Sequence, residues 1–550
     1  MKLNNLWRRA PFFITIICLS VLLKLCLLWQ NAIPFNADEA IVALMARHIL
    51  QGERPVFFYG QAYMGSLDAF LVAGGFWLLG QRVWVIRLVQ CLLYLGTIIT
   101  TVAIVRSSLS FSKNGLVAAS LLAIPTVNVT LYTTASLGGY GEALLLGNLI
   151  LLASVEIYRQ ITSTSINRPK KLRRRVSVLM LIAGVTIGIG LWANGLTLVY
   201  SIPSTIFILW STFQVCQQRI SKKWLFFFIC LFPLGFLIGS SPWWVYAFNR
   251  GWDRLIAELF GSAVAVERAS WLSQSFTHLF SLIVLGGTVL FGLRPPWEVR
   301  WLAFPLLPLA LLFWLAVIGF LFRQVIRREH QDRPIYLLFF SVLGVFVVGF
   351  LFTPFGVDPS GRYFLPLYII LAMAAGEMVG KFIHKILWQI LLVGMVMLFN
   401  LWGTIECAIQ NPPGLTTQFD QAVVIDHRYD QALVDFLKEN QELRGYTNYW
   451  VSYPLAFESQ EQIIFIPRLP YHPDLRYTLR DDRYPLYDDL VNQSQRVAYI
   501  TSHTPELDEI LRKNFQLYGI SWLEVKIGDY QVFYDLSQPI RPEVIIPDGF

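Results

Sequence analysis

Two adjacent carboxylates follow the first long apolar run of the chain. Asp38 and Glu39 lie in the stretch FNADEAIVALMARHIL, residues 35–50. A carboxylate can accept a proton from a hydroxyl group that attacks a substrate. The pair can also serve the helix alone, because Asn36 is a favoured N-cap residue and Glu39 then completes a capping box, while Asp38 complements the helix dipole. Taken by itself, the local pattern favours the structural role.

Three further charged residues are predicted at ends of apolar segments, on the same membrane face as Asp38. Glu142 directly follows the sequence LGGY, Arg87 lies one turn inside the second apolar segment, and Arg362 opens a late one. An interfacial ion pair or a snorkelling arginine explains each residue singly. Charged groups at membrane ends are costly, however, and unrelated anchors need not share a face. The set therefore favours a common site over separate structural roles.

The elements that must position these residues are membrane helices. Of the 550 residues, 55% are hydrophobic, and the mean hydropathy is +0.52, which is too apolar for a soluble domain. Several runs reach the roughly 18 apolar residues that a crossing requires. The sequence predicts eleven spans, near residues 11–29, 84–105, 115–132, 141–158, 177–192, 196–214, 224–241, 302–322, 335–353, 363–380 and 386–404.

Basic clusters set the predicted orientation. Lys and Arg concentrate at the N-terminus and in segments such as RPKKLRRR, residues 168–175, which the positive-inside rule places in the cytoplasm. Eleven crossings then put the C-terminus outside the cell or in the periplasm. We place the apolar segment 276–293 in an outer loop. A membrane crossing there would move the basic segment 323–333 from the cytoplasmic side to the outer side. The predicted location is the inner (plasma) membrane, with multiple passes.

The charge of the chain is divided unequally between two regions. Residues 1–404 hold 32 Lys and Arg against 14 Asp and Glu (+18), whereas residues 405–550 hold 12 against 22 (−10). The second region also has no apolar run long enough to span. The sequence therefore predicts a transmembrane domain over 1–404 and a soluble, extracytoplasmic α/β domain over 405–550. Membrane orientation explains the basic loops better than nucleic acid does.

The cysteines and histidines do not indicate a metal centre. Five of the six cysteines lie in or beside apolar runs, and neither they nor the histidines show the spacing of a metal site or a disulfide framework. We therefore expect no metal.

Several motifs together resemble the GT-C superfamily of polyprenyl-phosphate-dependent membrane glycosyltransferases, such as the protein O-mannosyltransferases and lipid A aminoarabinose transferases. The resemblance covers roughly residues 10–400 and lies in the Asp-Glu pair of the first outer loop with the segments FFYGQAYMGSLDAFLVAGGFWLLG (57–80), VIRLVQ (85–90), GGYGEALLLG (138–147) and GRYFLPLY (361–368). Two positions depart from it. Glu142 stands where many relatives have Asp, and Tyr-Gly-Gln (59–61) replaces Lys-Pro-Pro of the aminoarabinose enzymes, which argues against lipid A as acceptor.

The resemblance implies a fold of about eleven transmembrane helices, with surface helices in the first outer loop. It also implies a reaction in which sugar is transferred, with inversion, from a polyprenyl-phosphate donor to a hydroxyl of a lipid, glycan or protein. The catalytic residues it implies are Asp38, as the base, and Glu39 beside it. No cofactor is required, although some relatives suggest a divalent cation shared by Asp38 and Glu142. Membrane lipids are the other partners. The implied binding residues are Arg362, Arg87 and Tyr363 for the donor phosphate, and Glu142, Gln61, Tyr59 and Tyr140 for sugar or acceptor.

Two other classes stay open. A polytopic transporter needs ionisable residues near the middle of the bilayer and often an internal repeat. No clear repeat is present, and only Lys24 and Glu377 lie away from predicted span ends, from where both can reach an interface. The other alternative is a non-catalytic binder of lipid-linked sugars, against which the intact Asp38 argues.

Overall fold

The computed structural model describes residues 10–108, 114–162, 169–219, 222–260, 271–327, 332–358, 360–419, 423–472 and 474–546. Most of this chain is helical. The α-helices are α1 (Ala10–Trp29), α2 (Ala37–Gln51), α3 (Leu67–Leu79), α4 (Val83–Ser108), α5 (Asn114–Ala123), α6 (Val127–Tyr132), α7 (Tyr140–Thr162), α8 (Pro169–Ala193), α9 (Leu198–Arg219), α10 (Lys222–Gly239), α11 (Ser241–Arg250), α12 (Trp252–Phe260), α13 (Trp271–Phe280), α14 (Gly287–Leu290), α15 (Leu307–Ile326), α16 (Arg333–Phe352), α17 (Leu365–Phe382), α18 (Ile386–Ile409), α19 (Asp430–Glu439), α20 (Tyr449–Glu458), α21 (Leu486–Asn492), α22 (Pro505–Leu517) and α23 (Pro542–Ile545).

The strands are short and fall in two groups. A two-stranded ribbon pairs the first two strands, and the remaining five form one sheet in the C-terminal region. In chain order they are β1 (Phe57–Phe58), β2 (Gln61–Gly65), β3 (Arg444–Thr447), β4 (Ile464–Pro467), β5 (Ala498–Ser502), β6 (Leu523–Ile527) and β7 (Tyr530–Tyr534).

The chain divides into two compact units. The membrane unit consists of Met1–Gln30, Tyr63–Asp68 and Arg87–Ile409. The tail unit consists of Asn31–Ala62, Ala69–Ile86 and Gln410–Phe550, so it combines the C-terminal region with two pieces of the predicted first outer loop. The sequence, in contrast, placed a single boundary at residues 404/405.

Membrane-spanning helices dominate the membrane unit, as predicted. Over the described residues, 10 helices are long and apolar enough to cross a membrane, or 11 with the bent pair α10–α11 counted as one span. The predicted span 115–132 is instead broken in two around Pro125, which cannot donate a helical hydrogen bond. The amide of Asn400 donates to the carbonyl of Ile124 at 2.9 Å and so satisfies a group at the break.

The predicted outer segment 276–293 is also helical, and the stretch 273–290 is long and apolar enough to cross. Three positions along it contact the end of α16 or the connection between α16 and α17. His278 Nδ1 lies 2.9 Å from the carbonyl of Leu351, Gly286 packs on Phe364, and Val289 packs on Gly361. These contacts join the segment to α16 and to the turn that follows it, and its placement outside the membrane stays a prediction.

The charged group of Lys24 is buried inside the membrane unit. Its ammonium donates to the carbonyl of Thr133 at 2.5 Å, to the hydroxyl of Thr133 at 2.9 Å and to that of Thr134 at 2.8 Å. The same group lies 4.7 Å from the ring centroid of Tyr94. Lys24 therefore ties α1 to the residues that follow α6.

The C-terminal sheet of the tail unit is mixed, with strand order β4-β3-β5-β7-β6. Strand β3 pairs in parallel with β4 and β5, whereas β7 pairs antiparallel with β5 and β6. Buried apolar side chains from helices α19 and α20 pack on the central strands. The predicted α/β architecture of this region is confirmed.

Helix α2 is also part of the tail unit and is buried on nearly every side. The resemblance implied a surface helix in this part of the first outer loop. Its polar side is covered because Arg47 donates to the carbonyl of Phe457 on α20 at 3.0 Å and places its guanidinium 4.7 Å from the ring centroid of the same residue. Phe35 packs on that ring too, with centroids 5.6 Å apart.

A polar cluster around Glu461 joins α2 to the C-terminal region. Glu461 pairs with Arg47 at 3.3 Å and with His48 at 2.9 Å, and accepts from the hydroxyl of Tyr487 at 2.8 Å. Burial works to raise the pKa of Glu461, but the hydrogen bonds of His48 and Tyr487 and the charge of Arg47 outweigh it and lower this pKa to about 2. The ionised carboxylate therefore stabilises the docked helix.

Replacing Glu461 with glutamine is expected to lower the Tm of the purified protein at pH 7 by roughly 3–6 °C, because a half-buried carboxylate with three partners is lost. A depressed pKa adds stability above the unfolded-state value of about 4.5 and loses it as the pH falls toward 2. The Tm difference from wild type should thus stay constant from pH 7 to about pH 5 and shrink as the pH falls from about 4.5 toward 2. Glu439→Gln, at an exposed position on α19, is the control; an equal loss there, or a difference that does not shrink at low pH, would contradict the assignment.

Candidate active site

The start of α2 has the capping geometry that the sequence predicted. Asn36 Oδ1 accepts from the backbone N–H of Glu39 at 3.1 Å, and Gly52 closes the other end with a φ of 114°. Glu39 is completely buried, whereas Asp38 is half-buried. Of the two predicted catalytic residues, Asp38 is thus the one with access to a reactant.

The carboxylate of Asp38 has a partner that the sequence did not reveal. The phenol of Tyr449 in the C-terminal region donates to Asp38 Oδ1 at 2.5 Å. Asp481 and Tyr471 lie within electrostatic range of the same carboxylate. Burial raises the pKa of Asp481 to about 7, and the neighbouring charge of Asp38 contributes to this shift. The predicted base therefore lies in a cluster of ionisable groups, which is typical of functional sites.

Tyr59, predicted to bind sugar or acceptor, is engaged inside the tail unit. Its hydroxyl donates to Glu53 at 2.6 Å and lies 3.0 Å from His48 Nδ1, while its ring stacks on Tyr484 with centroids 4.9 Å apart. Burial and the Glu53 carboxylate raise the pKa of Tyr59. These contacts hold the first loop against the C-terminal region. Gln61 begins the next strand, β2, and is partly exposed.

In the membrane unit, the predicted phosphate-binding residues Arg362 and Tyr363 meet the predicted sugar-binding residue Tyr140. The guanidinium of Arg362 lies 5.2 Å from the ring centroid of Tyr363 and forms an ion pair with Asp358. Tyr140 is within electrostatic range of both Arg362 and Tyr363 and packs edge-on against Tyr132, with centroids 5.1 Å apart. A cation among phenol groups is suited to binding an oxyanion.

A tight turn presents Arg362 to this cluster. Gly361 has a φ of 73°, and a side chain there would clash with Val289 on the neighbouring helix. Its carbonyl accepts from the amide of Asn128 at 2.9 Å. The glycine of the GRYFLPLY motif is thus required by this bend, because a residue with a side chain would be strained and would clash there.

Glu142 lies beside a second carboxylate, Asp68, that sequence reasoning missed. Both side chains are buried and within electrostatic range of each other. Asp68 accepts from Gln90 at 2.8 Å and from the hydroxyl of Ser136, whereas neither carboxylate oxygen of Glu142 has a side-chain donor among the described residues. A buried acceptor of this kind is costly unless a ligand satisfies it. The one sequence signal for Asp68 was its place in the first turn of α3.

Replacing Glu142 with glutamine is expected to lower sugar transfer at least about tenfold while leaving the Tm equal to wild type or higher. The reason is that a neutral amide relieves the repulsion of Asp68 but cannot accept as a carboxylate does. Transfer assays and thermal melts of the same preparation check this. A lower Tm together with unchanged transfer would show a purely structural role. Glu156→Gln, on the same helix α7, is the control.

The remaining predictions concern Arg87 and a metal ion. Arg87 is buried one turn inside α4, as expected. In the part of the chain that the structure describes, no group of three or more His, Cys, Asp or Glu side chains is placed to hold a metal ion.

The fold is similar to that of solved membrane enzymes. The crystal structure of ArnT from Cupriavidus metallidurans bound to undecaprenyl phosphate matches with a TM-score of 0.63 over 95% of this chain and 98% of that chain, at 12% identity. The oligosaccharyltransferase of Archaeoglobus fulgidus, solved in complex with zinc and sulfate, matches with a TM-score of 0.52 over 92% of this chain and 69% of that chain, also at 12% identity.

A second structure of the archaeal enzyme, AglB from Archaeoglobus fulgidus with an inhibitory peptide and a dolichol-phosphate, matches with a TM-score of 0.50 at 10% identity, over 94% and 71% of the two chains. No protein-family model and no curated protein sequence matches the chain. At such low identity the likeness establishes the fold. The chain therefore shares the fold of these solved membrane proteins, in agreement with the fold that the resemblance of its motifs implied.

Proposed function

We propose that the protein is an inverting glycosyltransferase that moves a sugar from a polyprenyl-phosphate donor to an acceptor hydroxyl at the outer membrane face. The observation that carries the proposal is the end-to-end likeness to ArnT, whose structure holds undecaprenyl phosphate. The acceptor belongs to a lipid, a glycan or a protein. The N-terminus lies in the cytoplasm and the C-terminal domain outside it, as the basic loops predict.

The proposed step makes one bond and breaks one. The acceptor oxygen attacks the anomeric carbon from the side opposite the phosphate, and the bond from that carbon to the phosphate oxygen breaks, so the configuration inverts. Asp38 takes the proton of the acceptor hydroxyl, and polyprenyl phosphate leaves with the electron pair. A positioned base contributes about 10²- to 10⁴-fold to such a step.

Arg362 binds the donor phosphate in this proposal. Its planar guanidinium can hold two phosphate oxygens at once and stabilise the charge that grows on them as the bond breaks. Tyr363 and Tyr140 lie around the guanidinium of Arg362. Arg87 is the second candidate for the phosphate. The buried Glu142 accepts hydroxyl hydrogens of the sugar or acceptor. Gln61 binds the acceptor, and Tyr59 positions the loop that carries Gln61.

The direct test uses the purified full chain in lipid nanodiscs. Undecaprenyl phosphate carrying radiolabelled mannose, glucose, galactose or 4-amino-4-deoxyarabinose is offered with lipid, glycan and peptide acceptors. Transfer to an acceptor, with inverted configuration by NMR of the product, is the expected result. In sealed vesicles, movement of the labelled lipid without transfer would instead support a transporter, and saturable binding without either would support a non-catalytic binder.

A further inference from the structure

Tyr449 is held rigidly at the first position of α20. The side chain of Asn448 caps this helix by accepting from the N–H groups of Trp450 at 3.0 Å and Val451 at 3.3 Å. The amide of Asn448 also donates to the hydroxyl of Ser502, at the end of β5, at 2.9 Å. The helix start is therefore fixed to the central sheet, and so is the phenol that it carries.

The ring of Tyr449 is fixed from its other side by Arg483. The guanidinium lies 5.5 Å from the ring centroid and donates to the carbonyl of Gly60 at 3.2 Å. The backbone N–H of Arg483 donates to the hydroxyl of Tyr453 at 2.6 Å, one turn further along α20. Gly60 has a φ of 67°, and a side chain there would clash with Arg483. These contacts tie the turn before Gln61 to the ring that binds Asp38.

The phenol of Tyr449 is suited to donate and not to ionise. It is buried, and burial together with the negative charge of Asp38 raises its pKa well above the ordinary value. The hydroxyl therefore keeps its proton. Its 2.5 Å contact with Asp38 Oδ1 is a hydrogen bond to an ionised acceptor, which is stronger than one between neutral groups. A carboxylate held by one oxygen keeps its second oxygen for another partner.

We propose that Tyr449 is a positioning residue that orients the carboxylate of Asp38 for proton transfer, so that the C-terminal domain is a working part of the catalytic apparatus. The inference rests on the proposed role of Asp38 as the base. The alternative is that the contact only docks α2 onto the C-terminal region, a task which the Glu461 cluster already performs. Orientation and docking predict different results.

The kinetic test compares Tyr449→Phe with Tyr499→Phe. The control removes a buried phenol of the same domain that donates to the carbonyl of Ile540 at 2.6 Å, so both variants lose one strong hydrogen bond. With the labelled undecaprenyl-phosphate donor that the wild type turns over, Tyr449→Phe is expected to lower kcat about 10- to 100-fold with the KM for acceptor within about twofold. Wild-type kcat in Tyr449→Phe, or an equal loss in Tyr499→Phe, would overturn the proposal.

A second measurement needs no turnover. A water-soluble carbodiimide with glycine ethyl ester labels accessible carboxylates, and peptide mass spectrometry measures the rate at Asp38. Tyr449→Phe should label Asp38 at least about threefold faster than wild type, because the phenol no longer covers one oxygen; Tyr499→Phe should not. An unchanged rate would overturn the proposal. If the Asp38→Asn enzyme is active, Asp38 is not the base. If Asp38→Asn is inactive but Tyr449→Phe behaves as wild type, Asp38 stays the base and only the role of Tyr449 is refuted.

Discussion

Asp38→Asn is expected to reduce sugar transfer by about 10²- to 10⁴-fold and to leave binding of undecaprenyl phosphate within about twofold of wild type. The amide has nearly the shape of the carboxylate and can still accept from Tyr449, but it cannot take the proton of the attacking hydroxyl. The measurement is kcat with a labelled undecaprenyl-phosphate sugar, alongside a binding isotherm for undecaprenyl phosphate on the same preparation.

The control for this substitution is Asp435→Asn, on an exposed position of α19, which should keep wild-type transfer. Glu39→Gln gives a second comparison, because Glu39 is completely buried beside Asp38. If Glu39 is only structural, this variant should lower the Tm more than kcat. Transfer near wild type in Asp38→Asn would refute the assignment of the base, and a full loss in Glu39→Gln with an intact Tm would move that role to Glu39.

The helical framework was predictable because its signals are local. An apolar run long enough to cross a bilayer is visible in any stretch of sequence, and so are the Asn36 cap and the closing Gly52. The break at Pro125 was overlooked because the run from 115 to 132 keeps its hydropathy across the proline. In the C-terminal region, β3 and the adjoining α20 were not predicted, since RGYT is short and α20 carries a proline, Pro454, in its interior.

The partners of the candidate site could not be predicted, because they come from distant parts of the chain. Tyr449 follows Asp38 by 411 residues, and Ser136 follows Asp68 by 68. Neither pair shares a periodicity or motif that links its members. The ion pair of Asp358 with Arg362 is the exception. Asp358 precedes Arg362 by four residues within one short turn, so this pair could have been predicted from the sequence. Local motifs thus locate single reactive groups, whereas the fold decides which groups meet.

Arg362→Ala is expected to weaken binding of undecaprenyl phosphate by about 10- to 100-fold, because a charge-assisted pair of hydrogen bonds to phosphate is lost. Arg362→Lys keeps the charge but not the planar fork, so its affinity should fall between those of alanine and wild type. Titration of the purified chain with undecaprenyl phosphate, followed by native mass spectrometry, gives the three Kd values.

The ion pair of Arg362 with Asp358 offers the decisive control. If the arginine serves only that pair, Asp358→Asn should reproduce the loss seen in Arg362→Ala. If it binds phosphate, Asp358→Asn removes a negative charge beside the ligand, so undecaprenyl phosphate should bind as tightly as to wild type or more tightly. Arg323→Ala, at an exposed position in the last turn of α15, controls for a general loss of positive charge. Wild-type affinity in Arg362→Ala would transfer the phosphate role to Arg87, whose alanine variant should then show the loss.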